Sequence, residues 1–369
     1  MANALRTEEF IVNMGPVHPS THGVCRLLLT MDGEKVMKVE PVIGYLHRSI
    51  EKICENRTFA QCVPLMDRVE YVTAMSCGYM FAGAVEKLGG IEVPPRAQYL
   101  RTIMLELNRI ASHLLFYGVT AMDIGAYTPF LYGLRERELI IDLFEETCGQ
   151  RLTYNYIRIG GVSQDIRPDF ADGTRKALKI ISAKMSDYTG LLNENPIWLR
   201  RTKGVGVLPA DLAIAYGVSG PNLRASGVNY DIRRNDPYLI YDRLDWNVAT
   251  RPNGDCFDRY MLRLDEIRQS IRIVNQALDG LPEGEIMAKG VTVNYKPPAG
   301  EVYHRVENSR GELGAYIQAD GGKKPVRVKL RGGSYNALMA LPHFATNVLI
   351  ADLVAIFATL DVIMPEVDR

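Results

Sequence analysis

Two histidines, His18 and His22, stand four residues apart in the segment GPVHPSTHG, beside Pro19 and Gly23. Function concentrates in loops of this kind, because burial in a scaffold does not dictate their residues. The pair reads as metal ligands, as proton donors or as turn formers. No third His, Cys or carboxylate lies at ligand spacing nearby, which weighs against a metal. Histidine is the side chain best suited to giving up a proton near neutral pH. For His18 the plainer role, a hydrogen bond to the loop backbone, is the preferred reading. Tyr71, in DRVEYV on a helical stretch, is by default a core aromatic whose hydroxyl meets some neighbour. Asp123, in AMDIGAYTPF, falls between a long apolar run and a Gly/Pro break. It is a functional acid at a helix end or the cap of the following turn.

Other charged groups read as structural. Glu106, Arg109 and His113 fall three and four apart on one helix face, the spacing of an ion-pair ladder. The run RERE (135 to 138) among apolar neighbours implies a buried or interface charge network, since such density needs pairing. Gly160-Gly161 is not a nucleotide loop, for no G-x-G-x-x-G or P-loop follows a strand, so the chain is expected to bind neither NAD nor ATP itself. A G-x-S-x-G elbow and an H-E-x-x-H helix are both missing, which removes the support for a hydrolase. The six cysteines, Cys25, Cys54, Cys62, Cys77, Cys148 and Cys256, include no C-x-x-C pair and read as buried thiols, so no metal is expected in this chain.

The elements that must hold these residues follow from periodicity. Short apolar runs at 10 to 14, 24 to 31 and 35 to 43, with Asp32-Gly33 as a hairpin signal, predict a small antiparallel sheet whose first loop carries His18 and His22. Helical spacing then runs over 49 to 57, 64 to 88, 94 to 122 and 129 to 148, with further helices at 168 to 192, 209 to 216 and 255 to 281. The helix from 94 has about 28 residues and spans roughly 42 Å at 1.5 Å per residue, a length that suits a bundle. EVYHRV, ELGAYIQA and PVRVKL predict a β meander, and 344 to 360 returns to helix. The expected fold is α+β and mainly helical. It divides into an N-terminal antiparallel β region (1–48), a helical bundle core (49–282) and a C-terminal meander and helix (283–369), read as one interlocked domain.

Composition excludes several classes of function. A chain of 369 residues, 47% hydrophobic and 23% charged, can bury a sizeable core. Lys plus Arg (43) equals Asp plus Glu (43), so the basic surplus of a nucleic-acid binder is lacking. The greasiest run, Val348 to Met364, carries Asp352 and Asp361 and does not read as a bilayer span. MANALRTEEF has no signal-peptide core, so a cytosolic location is expected.

Six segments, GPVHPSTHGV (15 to 24), IGYLHRSIEK (43 to 52), DIGAYTPF (123 to 130), NYIRIGG (155 to 161), LRASGVNYDIR (223 to 233) and ENSRGELGAYI (307 to 317), follow one another along the chain. Through them it resembles, nearly end to end, the 49-kDa-type subunit of respiratory complex I, the NADH-quinone oxidoreductase. The resemblance implies a fold similar to the large subunit of nickel-iron hydrogenases, which hold their metals with two C-x-x-C pairs, one near each end of the chain. Here Cys54 and Cys62 are eight apart and LDVIMPEVDR has no cysteine, so a nickel-iron centre is excluded on ligand count.

In that family the vacated cavity is a quinone headgroup site, at the interface with a small subunit carrying the terminal 4Fe-4S cluster. The resemblance places the headgroup partners at His22 and Tyr71, the carboxylate partner of the histidine at Asp123, and arginines near the cluster at Arg48 and Arg68. It implies a peripheral-arm subunit of a proton-pumping quinone oxidoreductase on the cytoplasmic side of the membrane, with other peripheral-arm subunits and a membrane subunit as partners. Electrons would come from NADH, ferredoxin or a reduced deazaflavin through those other subunits. The alternative is a non-catalytic scaffold that only docks the cluster protein. Two departures stand out. Thr153 and Tyr154 replace a histidine frequent before NYIRIGG, and the link between Leu281 and Gly300 is short. Neither Thr153 nor Tyr154 titrates near neutrality, so the partner's cluster is expected to have a low, nearly pH-independent potential that suits menaquinone.

Overall fold

The computed structural model describes residues 8–18, 20 and 23–369. It opens with three antiparallel strands, β1 (Glu9–Met14), β2 (Arg26–Asp32) and β3 (Lys35–Val42). Asp32 pairs with Lys35 across the turn Gly33-Glu34, where Gly33 takes a φ of 59° that a glycine accepts freely. Alternation along β2 turns Leu27, Leu29 and Met31 inward.

The helical part begins with α1 (Ile50–Glu55) and α2 (Phe59–Met66). α2 is started by a capping box, in which Thr58 Oγ1 accepts from Gln61 N while Gln61 Oε1 accepts from Thr58 N. Periodicity predicts one helix over 64 to 88, but the chain breaks after Met66 and resumes as a 3-10 turn, Tyr71–Thr73, followed by α3 (Ala74–Gly89). Glu70 is the cause. Its carboxylate accepts the N–H groups of Val72 and Thr73 and so caps a new helical start.

α4 (Pro95–Asp123) is the long central rod, 29 residues with Pro95 at its first turn. It is followed by α5 (Tyr127–Cys148), the hairpin β4 (Ile157–Arg158) and β5 (Gly161–Val162), and α6 (Phe170–Leu192). Four short helices, α7 (Pro196–Thr202), α8 (Ala210–Ala215), α9 (Gly220–Ala225) and α10 (Ile232–Asn235), lead to α11 (Cys256–Asp279). The expected meander is β6 (Gly300–Asn308), β7 (Gly311–Ala319) and β8 (Arg327–Arg331). The end of the chain is richer than the single helix expected over 344 to 360. It forms α12 (Gly333–Phe344), a strand β9 (Val348–Leu349) paired with β3, α13 (Ile350–Leu360) and α14 (Met364–Asp368). The Gly-Gly start and the Pro342 of α12 are loop signals that tertiary contact overrides.

About half of the residues are helical, and the sheets are small and antiparallel, an α+β fold that is mainly helical. One apolar core joins α2–α6 and α11 to the meander, and a second lies between the first sheet, α8, α9 and α12–α14. Cys25, Cys54, Cys62, Cys77 and Cys256 are buried free thiols, and Cys148 is half-buried.

α4 is buried on all sides although it carries Arg101, Glu106, Arg109 and His113. Charges in such a place need partners. The expected local ladder is present only between Arg109 and Glu106, at 3.5 Å, while the stronger bonds reach across the fold. Glu106 accepts from Arg233 (3.0 Å), Tyr241 Oη (2.7 Å) and Ser270 Oγ (2.6 Å). His113 Nε2 lies 2.8 Å from Glu266, and Arg224 bridges Glu266 (2.6 Å) to Glu307 (2.7 Å). Arg109 donates to the carbonyls of Glu307 (2.6 Å) and Asn308 (3.1 Å), which fixes the turn between β6 and β7 against α4. The RERE run, by contrast, is not a buried network. Glu136 is buried against Arg135, but Arg135 and Glu138 are exposed, because only one helix face meets the core.

Candidate functional site

Between α4 and the segment joining α13 to α14 lies a cavity of about 250 Å3, close to the lower end of small-molecule pockets. Val72, Leu115, Phe116, Val119 and Ile363 give its lining an apolar character, and Tyr71, Thr120, Arg310 and Asp361 add polar groups. Tyr71 is not the core aromatic of the default reading. The break after α2 puts it at the start of its 3-10 turn, 37% exposed and facing the cavity. Burial of the phenol raises its pKa above the ordinary value, an effect that Arg310 opposes and that Glu70 and Asp361 reinforce. The hydroxyl is therefore a neutral hydrogen-bond donor at physiological pH.

Arg310 sits on the β6–β7 turn and is almost fully buried. Its Nη2 and Nε donate to Asp361 Oδ1 and to Asp361 O, both at 2.9 Å, and its Nη1 donates to Glu70 Oε1, Ser112 Oγ and Ser309 Oγ, each at 3.2 Å. Burial opposes the guanidinium charge, but Asp361, Glu70 and Glu366 outweigh it and hold the group charged. The following residue, Gly311, has a φ of 118°, and a Cβ there would stand 2.5 Å from Ser219 Oγ and 2.9 Å from the Ser219 backbone. Only glycine permits that approach, so the turn presenting Arg310 is pinned by its backbone as well as its side chain.

Asp123 is the last residue of α4, half-buried and one turn beyond Thr120, on the face that lines the cavity. His22 lies outside the described residues. Its neighbour Gly23 abuts Met364, with a built Cβ 3.4 Å from the Met364 side chain, and Met364 follows the cavity-lining Ile363. His18 does what its plainer reading predicts, accepting from Ser20 N at 3.2 Å.

Arg48 and Arg68 meet at the surface, where Arg48 Nη2 donates to the Arg68 carbonyl. Arg68 lines a polar pocket of about 430 Å3 together with Thr153, Tyr154, Asn155 and Arg158. Thr153 and Asn155 both hold positive φ angles, 54° and 46°, and the Tyr154 hydroxyl is buried with no hydrogen-bond partner among the described residues. Beneath them the buried Asp67 accepts Asn155 N at 2.7 Å. Burial pushes its carboxyl up to about 7 against the pull of Asn155 N–H, Arg68 and Arg158. Beside Thr153 and Tyr154, the group held near neutrality is therefore Asp67, 86 positions before Thr153 in sequence.

The same carboxyl makes a stability prediction. Folded protein keeps a proton on Asp67 up to about pH 7, whereas the unfolded chain releases it near the ordinary 3.8. The stabilisation is full below that value and is lost as pH rises, roughly 2 kcal/mol of it between pH 5 and pH 7. Asp67→Asn is expected to remove this slope in thermal unfolding, and a variant as pH-sensitive as the parent would refute it.

Glu70, Arg310, Asp361 and Asp67 are the site residues that sequence reasoning missed. The available signal was a charge set inside apolar runs, as in VEYV and LDVIM, which predicts pairing without naming the partner. Among the described residues no cluster of His, Cys, Asp and Glu could hold a metal ion, and no helix is long and apolar enough to cross a membrane.

Comparison with known proteins places the chain. Residues 123–294 and 288–369 match the family described as respiratory-chain NADH dehydrogenase, 49 Kd subunit. A subunit of the NADH-quinone oxidoreductase of Dehalococcoides mccartyi is 52% identical over 367 residues, covering 99% of this chain and all of the relative. The equivalent NADH-quinone oxidoreductase subunits of Clostridium beijerinckii (47% identical, 99% of this chain and 98% of the relative) and Bacillus anthracis (46%, 99% and 100%) are similar over the same span. With Tyr71 and Arg310 of the ENSRGELG turn lining one cavity and relatives aligned from end to end, the chain belongs to the 49-kDa subunit family of respiratory-chain NADH dehydrogenase, as a subunit of an oxidoreductase.

Proposed function

We propose that the cavity at Tyr71 is where a quinone headgroup is reduced, in a complex whose other subunits deliver electrons from NADH, the donor in the relatives' names. The observation that carries this reading is the cavity itself, lined by the apolar side chains of Val72, Leu115, Phe116, Val119 and Ile363 together with the Tyr71 phenol and the Arg310 guanidinium. Reducing a quinone to its quinol takes two electrons and two protons, and each carbonyl oxygen needs a donor as charge develops on it. Tyr71 supplies one hydroxyl proton. His22 supplies the other, oriented by Asp123 and supported in that place by the contact of Gly23 with Met364. Arg310, which lines the same cavity, stabilises the developing charge.

The electrons come from a 4Fe-4S cluster of a small partner protein that binds against Arg48, Arg68 and the polar pocket beside them, a reading supported by the surface position of both arginines. Menaquinone is the proposed acceptor. The protein is bound to a membrane subunit and sits peripherally on the cytoplasmic side of the membrane. The fold is proposed to be like that of the hydrogenase large subunit, with a mainly helical core and small antiparallel sheets. The chain is proposed to divide into an N-terminal β region (1–48), a helical bundle core (49–282) and a C-terminal meander and helix (283–369).

Tyr71→Phe in the assembled complex tests the central claim. It removes a hydroxyl with little change of volume, so the complex should assemble normally while short-chain quinone reduction falls at least about tenfold. Quinone reduction at the parent rate would return Tyr71 to the role of a packing residue and leave the scaffold reading standing.

A further inference from the structure

Glu70 has no exposed surface and immediately precedes the cavity-lining Tyr71, yet its carboxylate serves two segments at once. Oε1 accepts Val72 N and Arg310 Nη1, both at 3.2 Å, and Oε2 accepts Thr73 N at 2.9 Å and Asn308 Nδ2 at 3.2 Å. The first pair of backbone bonds builds the 3-10 turn that presents Tyr71. The bonds to Asn308 and Arg310 tie that turn to the β6–β7 turn. We propose that Glu70 is a positioning residue whose ionised carboxylate holds Tyr71 and Arg310 in their cavity-facing arrangement, and that a proton on Glu70 releases them. This inference rests on the quinone-site reading of the cavity.

The geometry makes the two protonation states exclusive. Each oxygen has two donors aimed at it, so a proton on either one faces a donor and one bond must be given up. Burial raises the Glu70 carboxyl to about 7, so both states are reached under physiological conditions. The groups around it pull both ways. Arg310 and Asn308 favour the ionised form, while Glu366 from α14 and Asp361 from the end of α13 favour the neutral one. α3 contributes Cys77, whose thiol donates to the Glu70 carbonyl at 3.8 Å, and the loop after α5 contributes the Tyr154 phenol. α4 faces it with neutral groups, Ser112 at Arg310 and Asn108, whose Nδ2 donates to Val72 O at 2.9 Å. Arg109 reaches the Asn308 carbonyl rather than Glu70.

The test uses the assembled complex with a short-chain quinone, kcat/KM being measured from pH 6 to pH 8. Glu70→Gln imitates the neutral form at every pH. Its kcat/KM should lie about tenfold below the parent at pH 8 and converge with the parent at pH 6, as the parent's own Glu70 takes up its proton. Glu70→Asp keeps the charge and should restore a pH-dependent profile. A ratio of parent to Glu70→Gln that stays constant across the range, or an unchanged kcat/KM at pH 8, overturns the proposal. If neither variant assembles, binding of a quinone analogue to the parent complex decides it: affinity should weaken below pH 7, and a flat curve refutes the idea. Tyr71→Phe run in parallel separates the two claims. Loss there without loss in Glu70→Gln sinks only the role of Glu70, and no loss in either sinks the quinone site.

Discussion

Arg224→Met is expected to abolish assembly. The guanidinium has no exposed surface and is shared among Glu266 (2.6 Å), Glu307 (2.7 Å) and Asp231 (3.4 Å), with Tyr230 O as a further acceptor at 3.1 Å. Burial works against its charge, and the three carboxylates more than restore it. Removing one member of a buried pair costs roughly 3–5 kcal/mol because the other charge is left unpaired. Here three carboxylates lose their common partner, in a protein whose total stability is on the order of 5–15 kcal/mol. The turn between β6 and β7 would lose one of its two holds as well, since Arg224 binds the Glu307 side chain while Arg109 binds the Glu307 carbonyl. A native gel of membranes from cells carrying the variant measures the outcome, and normal levels of complex would refute it. Arg151 gives the contrast. It forms three ion pairs with Glu138, Asp142 and Glu145, all exposed, and Arg151→Met should assemble like the parent.

Arg310→Met should separate folding from chemistry less cleanly but just as strongly. It strips Glu70 and Asp361 of their shared cation, a loss of roughly 3–5 kcal/mol by the same reasoning. Whatever complex still assembles has lost the only arginine lining the cavity among the described residues, and quinone reduction should fall by about two orders of magnitude. Arg310→Lys is a poor rescue, since an ammonium cannot reproduce the forked bonds to Asp361 and the simultaneous contact with Glu70. Activity per assembled complex is the deciding measurement. Parent activity in either variant would remove Arg310 from the site.

These expectations rest on pairs that no local reading of the chain supplies. The long helix at 95–123 was legible because apolar spacing over 29 residues leaves no other element possible, and the meander because its turns carry Ser-Arg-Gly and Asp-Gly-Gly. The break after Met66 was not legible, because periodicity runs through it and only the Glu70 cap interrupts the helix. α12 was hidden by its opening glycines, which are there because Gly333 packs 2.6 Å from the Arg310 carbonyl if given a Cβ. At the site, Tyr71 and Asp123 could be named only through resemblance, since a phenol and a helix-end carboxylate have ordinary structural roles. Glu70 and Arg310 are 240 residues apart, and nothing in either neighbourhood points to the other.

The charged interior around α4 also shapes how the protein responds to heat. Unfolding raises heat capacity by about 12–15 cal/mol/K per residue as apolar surface meets water, whereas exposing polar surface lowers it. This interior releases Arg101, Arg109, Arg224, Arg233, Arg263 and Arg310 together with their carboxylates, so part of the usual increment is cancelled. The curve of stability against temperature is flatter than that of an apolar core of equal length. The cost of keeping those ions from water also declines on warming, because their hydration becomes less favourable. The clamp on Arg310 therefore tightens, relative to the apolar packing around it, over the temperatures at which that packing stops gaining strength.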